Sequence, residues 1–381
     1  MVLAGLAAFG LLYAAQPLLP QLGREFGVGP STASLAVSAA TGALALAVLP
    51  AAALAVRWGR VRVMRIGLVL AVVLTAAVAV APDFTTLVVL RTLSGLALAG
   101  VVAVAMGHVG AEMHPVGLGA AMGLYVAGNS LGGVGGRLVT AGVSDGTSWR
   151  WGIAAVALGA AVATAAFWRL LPVPVAHDAG GSRRSASGAV GPLLRRPEVL
   201  LLVLVPFTLM GGFVAVYNYL AYRLSGPPFD LPPAVVGLVF LAYLAGTVAS
   251  ALAGRAADHF GRPRVLTAAV VVMVLGLCLT LPDRLPLVVL GLVVLTGGFF
   301  AAHAVASGWA PLVASPYGTE GSALYVGAYY AGSSVFGLAV GLSWAGAGWG
   351  GVVGAVVALA AVALAAGLAV GGITRRPPRT S

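Results

Sequence analysis

Long apolar segments separated by short polar turns make up most of this chain. Twelve of the segments approach the ~20 residues that an α-helix needs to cross the hydrocarbon core of a bilayer. They lie near residues 2–19, 33–56, 66–82, 86–107, 118–142, 151–171, 199–222, 234–253, 265–281, 285–307, 320–342 and 350–371. The pattern predicts an all-α membrane protein with twelve transmembrane helices.

The longest polar break divides these segments into two groups of six. It covers residues 172–197 and is rich in glycine, serine and arginine, a composition typical of a flexible linker. We therefore predict an N-terminal six-helix half over 1–171 and a C-terminal six-helix half over 198–372. The linker between them and a tail over 373–381 are both expected to be cytoplasmic.

An internal repeat supports this division. Three segments recur in order at a nearly constant offset: Arg57–Met64 at His259–Leu266, Leu87–Leu90 at Leu287–Leu290, and Ala127–Gly133 at Ala331–Gly337. Each match is weak alone because the sequence is so apolar, but three in the same order favour a duplication of six helices. The halves are then expected to be related by a pseudo-two-fold axis.

Composition excludes a soluble fold, since 60% of the residues are apolar and only 8% are charged, against roughly a quarter charged in soluble domains. The net charge of +11 can indicate a nucleic-acid partner. Here, however, the arginines punctuate the apolar segments and do not gather on one domain, so we expect no nucleic acid. Membrane lipid is the expected surrounding.

The distribution of basic residues predicts the orientation. All 21 are arginines; 15 lie in segments on one side of the predicted helices, 4 lie on the other side, and Arg91 and Arg137 lie inside helices. Cytoplasmic loops carry the excess of basic residues. The chain is therefore predicted to be a multi-pass protein of the inner (plasma) membrane with both termini in the cytoplasm.

Several motifs resemble the major facilitator superfamily. The loop after the second segment resembles that family's signature through Arg57, Gly59, Arg60 and Arg62, and its second copy resembles it more closely through Asp258, Gly261, Arg262 and Arg264. Tyr13-x-x-Gln16-Pro17, Gly128-Asn129-Ser130, Tyr217-Asn218-Tyr219 and Phe299–His303 are similar to the YnfM-like branch. The resemblance implies proton-linked export of small organic compounds by alternating access, with the two loops acting as gates.

The first loop departs from the family pattern, because Val56 stands where the family has an acidic residue. That carboxylate is expected to pair with nearby arginines and with a helix N-terminus of the other half. The second copy keeps it as Asp258. The closed cytoplasmic gate is therefore expected to depend mostly on the second loop.

Arg91 is the sharpest candidate for a functional residue. A guanidinium within the membrane costs at least ~2.5 kcal/mol on insertion scales, so it is expected to face a cavity or a partner. A substrate or proton-coupling site is one interpretation, and a structural arginine reaching the outer interface is the other. The same alternatives apply to Arg137.

Polar side chains on four of the predicted helices complete the set of substrate or coupling candidates. They are Tyr13, Gln16, Asn129, Tyr217, Asn218 and His303. His303 can change its protonation near neutral pH, although a lone histidine on an apolar face is often a packing residue. The tyrosines of the eleventh segment, Tyr325, Tyr329 and Tyr330, are interpreted as packing residues.

The ten acidic residues all lie in predicted loops or at helix ends, which disfavours a cation site and favours neutral or anionic substrates. No nucleotide-binding motif and no Cys/His cluster with metal spacing is present. We therefore expect a monomeric secondary transporter with a small-molecule substrate and protons as partners, no enzyme activity, no cofactor and no metal. The alternatives are an importer or facilitator of a small organic anion, and a non-transporting membrane receptor or scaffold.

Overall fold

The computed structural model describes residues 1–112, 115–171 and 191–374, and all regular secondary structure within these ranges is helical. Most of the predicted linker and of the predicted tail lie outside the described residues.

The first six helices alternate along the chain with short turns. They are α1 (Val2–Phe26), α2 (Leu35–Trp58), α3 (Arg60–Val78), α4 (Phe84–Val109), α5 (Pro115–Gly146) and α6 (Trp149–Leu170). A 3-10 turn at Gln16–Leu18 interrupts α1, and a single helical turn, Pro30–Ala33, precedes α2.

The remaining helices are α7 (Pro197–Leu224), α8 (Pro233–Phe260), α9 (Arg262–Leu279), α10 (Leu285–Val313) and the range Gly318–Thr374. The last range has 57 residues, about 85 Å of helix and nearly three times the thickness of a bilayer core. Ala347 and Gly348 leave the helical conformation within it, and Gly348 has a φ of 56°, which glycine adopts without steric cost. The kink separates α11 (318–346) from α12 (349–374).

The described part of the chain thus contains the twelve predicted helices. Ten helical ranges, with Gly318–Thr374 counted once, are long and apolar enough to cross a membrane, and α5 adds another 32 residues of helix. The predicted all-α class and the helix count are confirmed.

The described residues form two compact units. The first contains α1–α6 together with Leu220–Phe240, which comprises the end of α7 and the start of α8. The second contains the rest of α7 and α8 with α9–α12. The predicted boundaries of the six-helix halves stay a prediction.

Glycines let helices approach closely in both units. On α5, Gly128, Gly132 and Gly136 recur every four residues and face α1; a Cβ on Gly136 would lie 2.7 Å from the Gly10 carbonyl oxygen. In the second unit, a Cβ on Gly298 of α10 would lie 2.8 Å from the Ala269 carbonyl oxygen of α9. Small residues at this spacing are typical of tightly packed transmembrane helices, and on α5 they place Arg137 directly against α1.

Candidate functional site

Arg91 of α4 is completely buried in the first unit. Its Nε donates to the Ala36 carbonyl oxygen of α2 at 2.7 Å, and its Nη1 donates to the Leu11 carbonyl oxygen of α1 at 2.9 Å. Its Nη2 donates to the Leu12 carbonyl oxygen. The side chain therefore connects α4 to both α1 and α2 through backbone acceptors.

The acceptors on α1 exist because the helix is broken there. Its first helical stretch ends at Tyr13, just before Pro17 and Pro20, which lack a backbone N–H. The last four carbonyls of a helix have no intrahelical donor, and those of Leu11 and Leu12 belong to this group. Arg91 supplies the donors and a positive charge at the negative end of the helix dipole. These contacts give Arg91 a buried helix-connecting environment and not the surface position of an arginine that reaches an interface, while a role in substrate binding stays a prediction.

Three predicted candidates meet at a second buried guanidinium. Arg137 of α5 is 2% exposed; its Nε donates to Gln16 Oε1 at 2.7 Å, and its Nη1 donates to the Gly133 carbonyl oxygen at 2.7 Å. Its guanidinium carbon lies 4.3 Å from the ring centroid of Tyr13 and 4.9 Å from that of Phe240. Phe240 was not predicted, because one phenylalanine in an apolar helix carries no distinguishing sequence signal.

This arginine cluster attaches Leu220–Phe240 to the rest of the first unit. Two further hydrogen bonds hold the same segment: the Tyr222 hydroxyl donates to the Leu19 carbonyl oxygen at 2.8 Å, and the Ala234 N–H donates to Asp145 Oδ1 at 3.4 Å. Tyr13, Gln16 and Arg137 therefore connect this segment to α1 and α5, and their role in substrate binding stays a prediction.

We expect Arg137→Gln to destabilise the folded protein by on the order of 3 kcal/mol. The change removes a buried cation–π contact, worth about 2 kcal/mol, and weakens charge-assisted hydrogen bonds. Thermal unfolding in detergent measures the effect, with the exposed Arg24→Gln variant as the control. Equal melting temperatures for the two variants would contradict the role assigned to Arg137.

Asn129, another predicted candidate, lies two turns before Arg137 on α5 and apart from the arginine cluster. It faces α1 at Gly5, where a Cβ would lie 3.0 Å from the Asn129 backbone nitrogen. Its Oδ1 is buried and has no hydrogen-bond partner among the described residues. Asn129 therefore lies at a close contact between α5 and α1, and its role in substrate binding stays a prediction.

A continuous group of aromatic rings, here called the aromatic wall, lies in the second unit. It joins α7, α8, α10 and α11 through rings in pairwise contact, and the stack of Phe213 on Phe299, with centroids 3.9 Å apart and planes at 9°, is its centre. The wall comprises Phe213, Tyr217, Tyr243, Phe299, Phe300, His303, Tyr325 and Tyr329.

His303 is the titratable imidazole of this wall. Its Nδ1 lies 2.9 Å from the Tyr325 hydroxyl, and its ring centroid lies 4.9 Å from that of Tyr329. When Tyr325 donates to Nδ1, the neutral ring carries its proton on Nε2. The residue is half-buried and its Nε2 has no hydrogen-bond partner among the described residues. His303 can therefore donate a hydrogen bond from Nε2 at the edge of the wall.

The predicted candidates on α7 divide between two roles. The Tyr217 hydroxyl lies 2.8 Å from Thr296 Oγ1, and its ring belongs to the aromatic wall. Asn218 Nδ2 instead donates to the Gly337 carbonyl oxygen of α11 at 3.4 Å. Tyr217 therefore belongs to the same aromatic wall as His303, whereas Asn218 lies at the contact between α7 and α11. Tyr325 and Tyr329, interpreted as packing residues from the sequence, contact His303 directly.

The two predicted gating loops share one backbone feature. Gly59 ends α2 with a φ of 87°, and Gly261 ends α8 with a φ of 86°, so the repeat is visible in the backbone as well as in the sequence. Asp258 is exposed and forms no ion pair with a described residue. Its pairing, and the gating role of Arg57, Arg60, Arg62, Arg262 and Arg264, stay predictions.

Within the described residues, no group of three or more His, Cys, Asp or Glu side chains is arranged to hold a metal ion.

Comparisons with known proteins agree with the sequence resemblance. Residues 1–226 match the model of the Major Facilitator Superfamily. The MFS-type transporter YybF of Bacillus subtilis is 39% identical over 343 residues, covering 89% of this chain and 84% of the relative. The inner membrane transport protein YnfM of Escherichia coli is 38% identical over 341 residues, covering 89% and 82%.

Solved structures show the same fold at low sequence identity. A bacterial homolog of the human lysosomal transporter Spinster superposes with a TM-score of 0.81 at 14% identity, over 99% of this chain and 97% of the other. The nucleoside transporter NupG superposes with a TM-score of 0.75 at 13% identity, over 99% and 98%. This chain is a membrane transporter with the fold of its relatives, and it belongs to the Major Facilitator Superfamily.

Proposed function

We propose that the protein exports small neutral organic compounds with an aromatic ring, in exchange for protons, by alternating access across the inner membrane. The observation that carries the proposal is the aromatic wall with the half-buried, unpaired His303 Nε2 at its edge. Aromatic side chains with a few placed polar groups are typical of small-molecule sites.

The chemistry of the wall favours a neutral compound. Stacked and edge-on rings recognise flat apolar groups, while Tyr217, Tyr325 and His303 supply hydrogen-bonding atoms. No carboxylate belongs to the wall, so it offers no counter-charge to a cation.

The anion alternative has less support. An anionic substrate needs a counter-charge, and the contacts of the buried Arg91 with three backbone carbonyls already use its Nε and both Nη atoms. A receptor or scaffold role does not call for a half-buried titratable group within a group of contacting aromatic rings.

Coupling to protons is assigned to His303, because imidazole changes its charge near neutral pH. Protonation would turn its edge of the wall from neutral to cationic, which disfavours a neutral apolar ligand there. Protonation and substrate binding would then exclude one another, as an antiporter requires. We further propose that the protein works as a monomer with cytoplasmic termini, and that its loops at Gly59 and Gly261 form the cytoplasmic gate.

Transport of labelled aromatic compounds into proteoliposomes tests this proposal. An acidic lumen should accelerate uptake, because protons leaving the lumen drive the compound inward. Acceleration by an alkaline lumen would indicate symport, and uptake that ignores the gradient would indicate facilitated diffusion. No uptake of any compound in a broad panel, with folded protein in the membrane, would support the receptor or scaffold alternative.

A further inference from the structure

An elongated groove lies on the surface of the first unit, between α3 and α6. Its volume is about 420 Å³. Three valines of α3 and small residues of α6 line it: Val69, Val72, Val73, Ala161, Thr164 and Ala165. On each helix these positions follow the three- and four-residue spacing of one helix face, and they span about 6 Å along it.

Basic and aromatic side chains surround one end of this groove. A second cavity of about 410 Å³ adjoins it there and is lined by Trp58, Arg62, Arg65 and Trp168, of which Trp168 lines both cavities. Arg169 lines the apolar groove at the same end. This is the end that the arginine distribution assigns to the cytoplasm.

None of the three arginines forms an ion pair with a described carboxylate. Arg65 donates from Nη2 to the Trp168 carbonyl oxygen at 3.0 Å and lies 5.0 Å from the Trp168 ring, yet its Nε is buried without an acceptor. Arg62 and Arg169 are exposed. The end of the groove therefore offers concentrated positive charge and an unused buried donor.

A second buried polar atom lies inside the apolar part. Thr164 is 5% exposed, and its Oγ1 has no hydrogen-bond partner among the described residues. It stands one helical turn from Trp168, on the groove side. A buried hydroxyl without a partner costs free energy, so a ligand with a polar atom at this depth would satisfy it.

We propose that this groove binds one anionic glycerophospholipid. The phosphate lies among Arg62, Arg65 and Arg169, an ester oxygen of the glycerol backbone accepts a hydrogen bond from Thr164, and an acyl chain follows Val69 and Val72. Basic pockets between transmembrane helices on the cytoplasmic side are suited to acidic lipid headgroups, and each arginine adds to the attraction. Trp168 lies at the depth where headgroup and chain meet, which suits its amphipathic ring.

Native mass spectrometry of the full-length protein in detergent tests the site. The protein is titrated with phosphatidylglycerol and, separately, with phosphatidylcholine that has the same acyl chains. We expect phosphatidylglycerol to bind at least about tenfold more tightly, because its headgroup carries a net negative charge that phosphatidylcholine lacks. Equal affinities for the two lipids would overturn the proposal.

Matched variants locate the binding. Arg62→Gln with Arg169→Gln should reduce phosphatidylglycerol binding about tenfold, whereas Arg262→Gln with Arg264→Gln, which removes the same charge from the second copy of the loop, should not. Equal losses in the two double variants would mean that lipid responds to net charge alone and would overturn the assignment to the groove.

Two neutral variants test the apolar part. Ala165→Phe fills the groove from an exposed position without changing charge and should weaken binding, and Thr164→Val should weaken it two- to threefold, as the loss of one hydrogen bond predicts. An unchanged affinity in both variants contradicts the acyl-chain position. Excess glycerol 3-phosphate should not displace the lipid; displacement would show that a free phosphate suffices and would overturn the lipid assignment.

Discussion

Replacing Arg91 with alanine is expected to abolish transport and to destabilise the folded protein together. The change leaves the buried carbonyls of Leu11, Leu12 and Ala36 without their charged donor. Since a hydrogen bond to a charged group contributes about 1.5–3 kcal/mol, we expect a loss of at least about 3 kcal/mol. Thermal unfolding in detergent and transport in proteoliposomes, measured on the same preparation, check both effects.

Arg91→Lys should recover only part of the loss, because an ammonium group lacks the planar fork that reaches acceptors on two helices. Leu93→Ala, two residues along α4 at a 43% exposed position, serves as the control and should retain stability and transport. Wild-type stability in Arg91→Ala combined with lost transport would return Arg91 to the substrate or coupling role.

Replacing His303 with glutamine is expected to reduce proton-driven transport by at least about a hundredfold, the lower end of the scale that positioned proton-transfer groups contribute. Glutamine retains polar atoms but does not titrate, so the remaining transport should lose the pH dependence that proton coupling through His303 gives it. Transport rates between pH 5 and pH 8, with a fixed gradient, measure the effect.

The matched control is His259→Gln, since His259 is exposed and lies at the end of α8, away from the aromatic wall. Tyr325→Phe is the companion variant: it keeps the ring and removes the hydroxyl that contacts His303 Nδ1. It should weaken transport while leaving a pH dependence. An unchanged pH profile in His303→Gln would exclude His303 as the coupling group.

The sequence was sufficient to predict the helices, because lipid imposes long apolar segments on any chain that crosses it as helices. Their ends were less predictable: α1 was expected over 2–19 and extends to Phe26, since polar residues of a helix can continue beyond the bilayer core. The kink at Gly348 was anticipated as a turn, although α11 and α12 are nearly continuous in the structure.

The contacts of the candidate residues were less predictable than their positions. Arg91 was expected to be a costly intramembrane charge with a partner, and the side chain is buried, but its acceptors are backbone carbonyls, which have no signature in the sequence. Pro17, which lies within the first apolar segment, was the sequence signal that the helix is interrupted there and leaves carbonyls without an intrahelical donor. Phe213 and Phe299 were missed as members of the wall, because apolar periodicity does not separate a ring facing a site from one facing lipid.

We propose that the transported compound binds against the aromatic wall, and a cysteine-protection measurement tests this position most directly. Tyr329→Cys, in a Cys278→Ser background, introduces a thiol beside His303, and Val335→Cys introduces a control thiol at a 48% exposed position on the same helix. At roughly ten times its Kd, the transported compound should slow maleimide labelling at position 329 about tenfold and leave labelling at position 335 unchanged. Equal labelling rates at position 329 with and without a compound that is demonstrably transported would contradict the account.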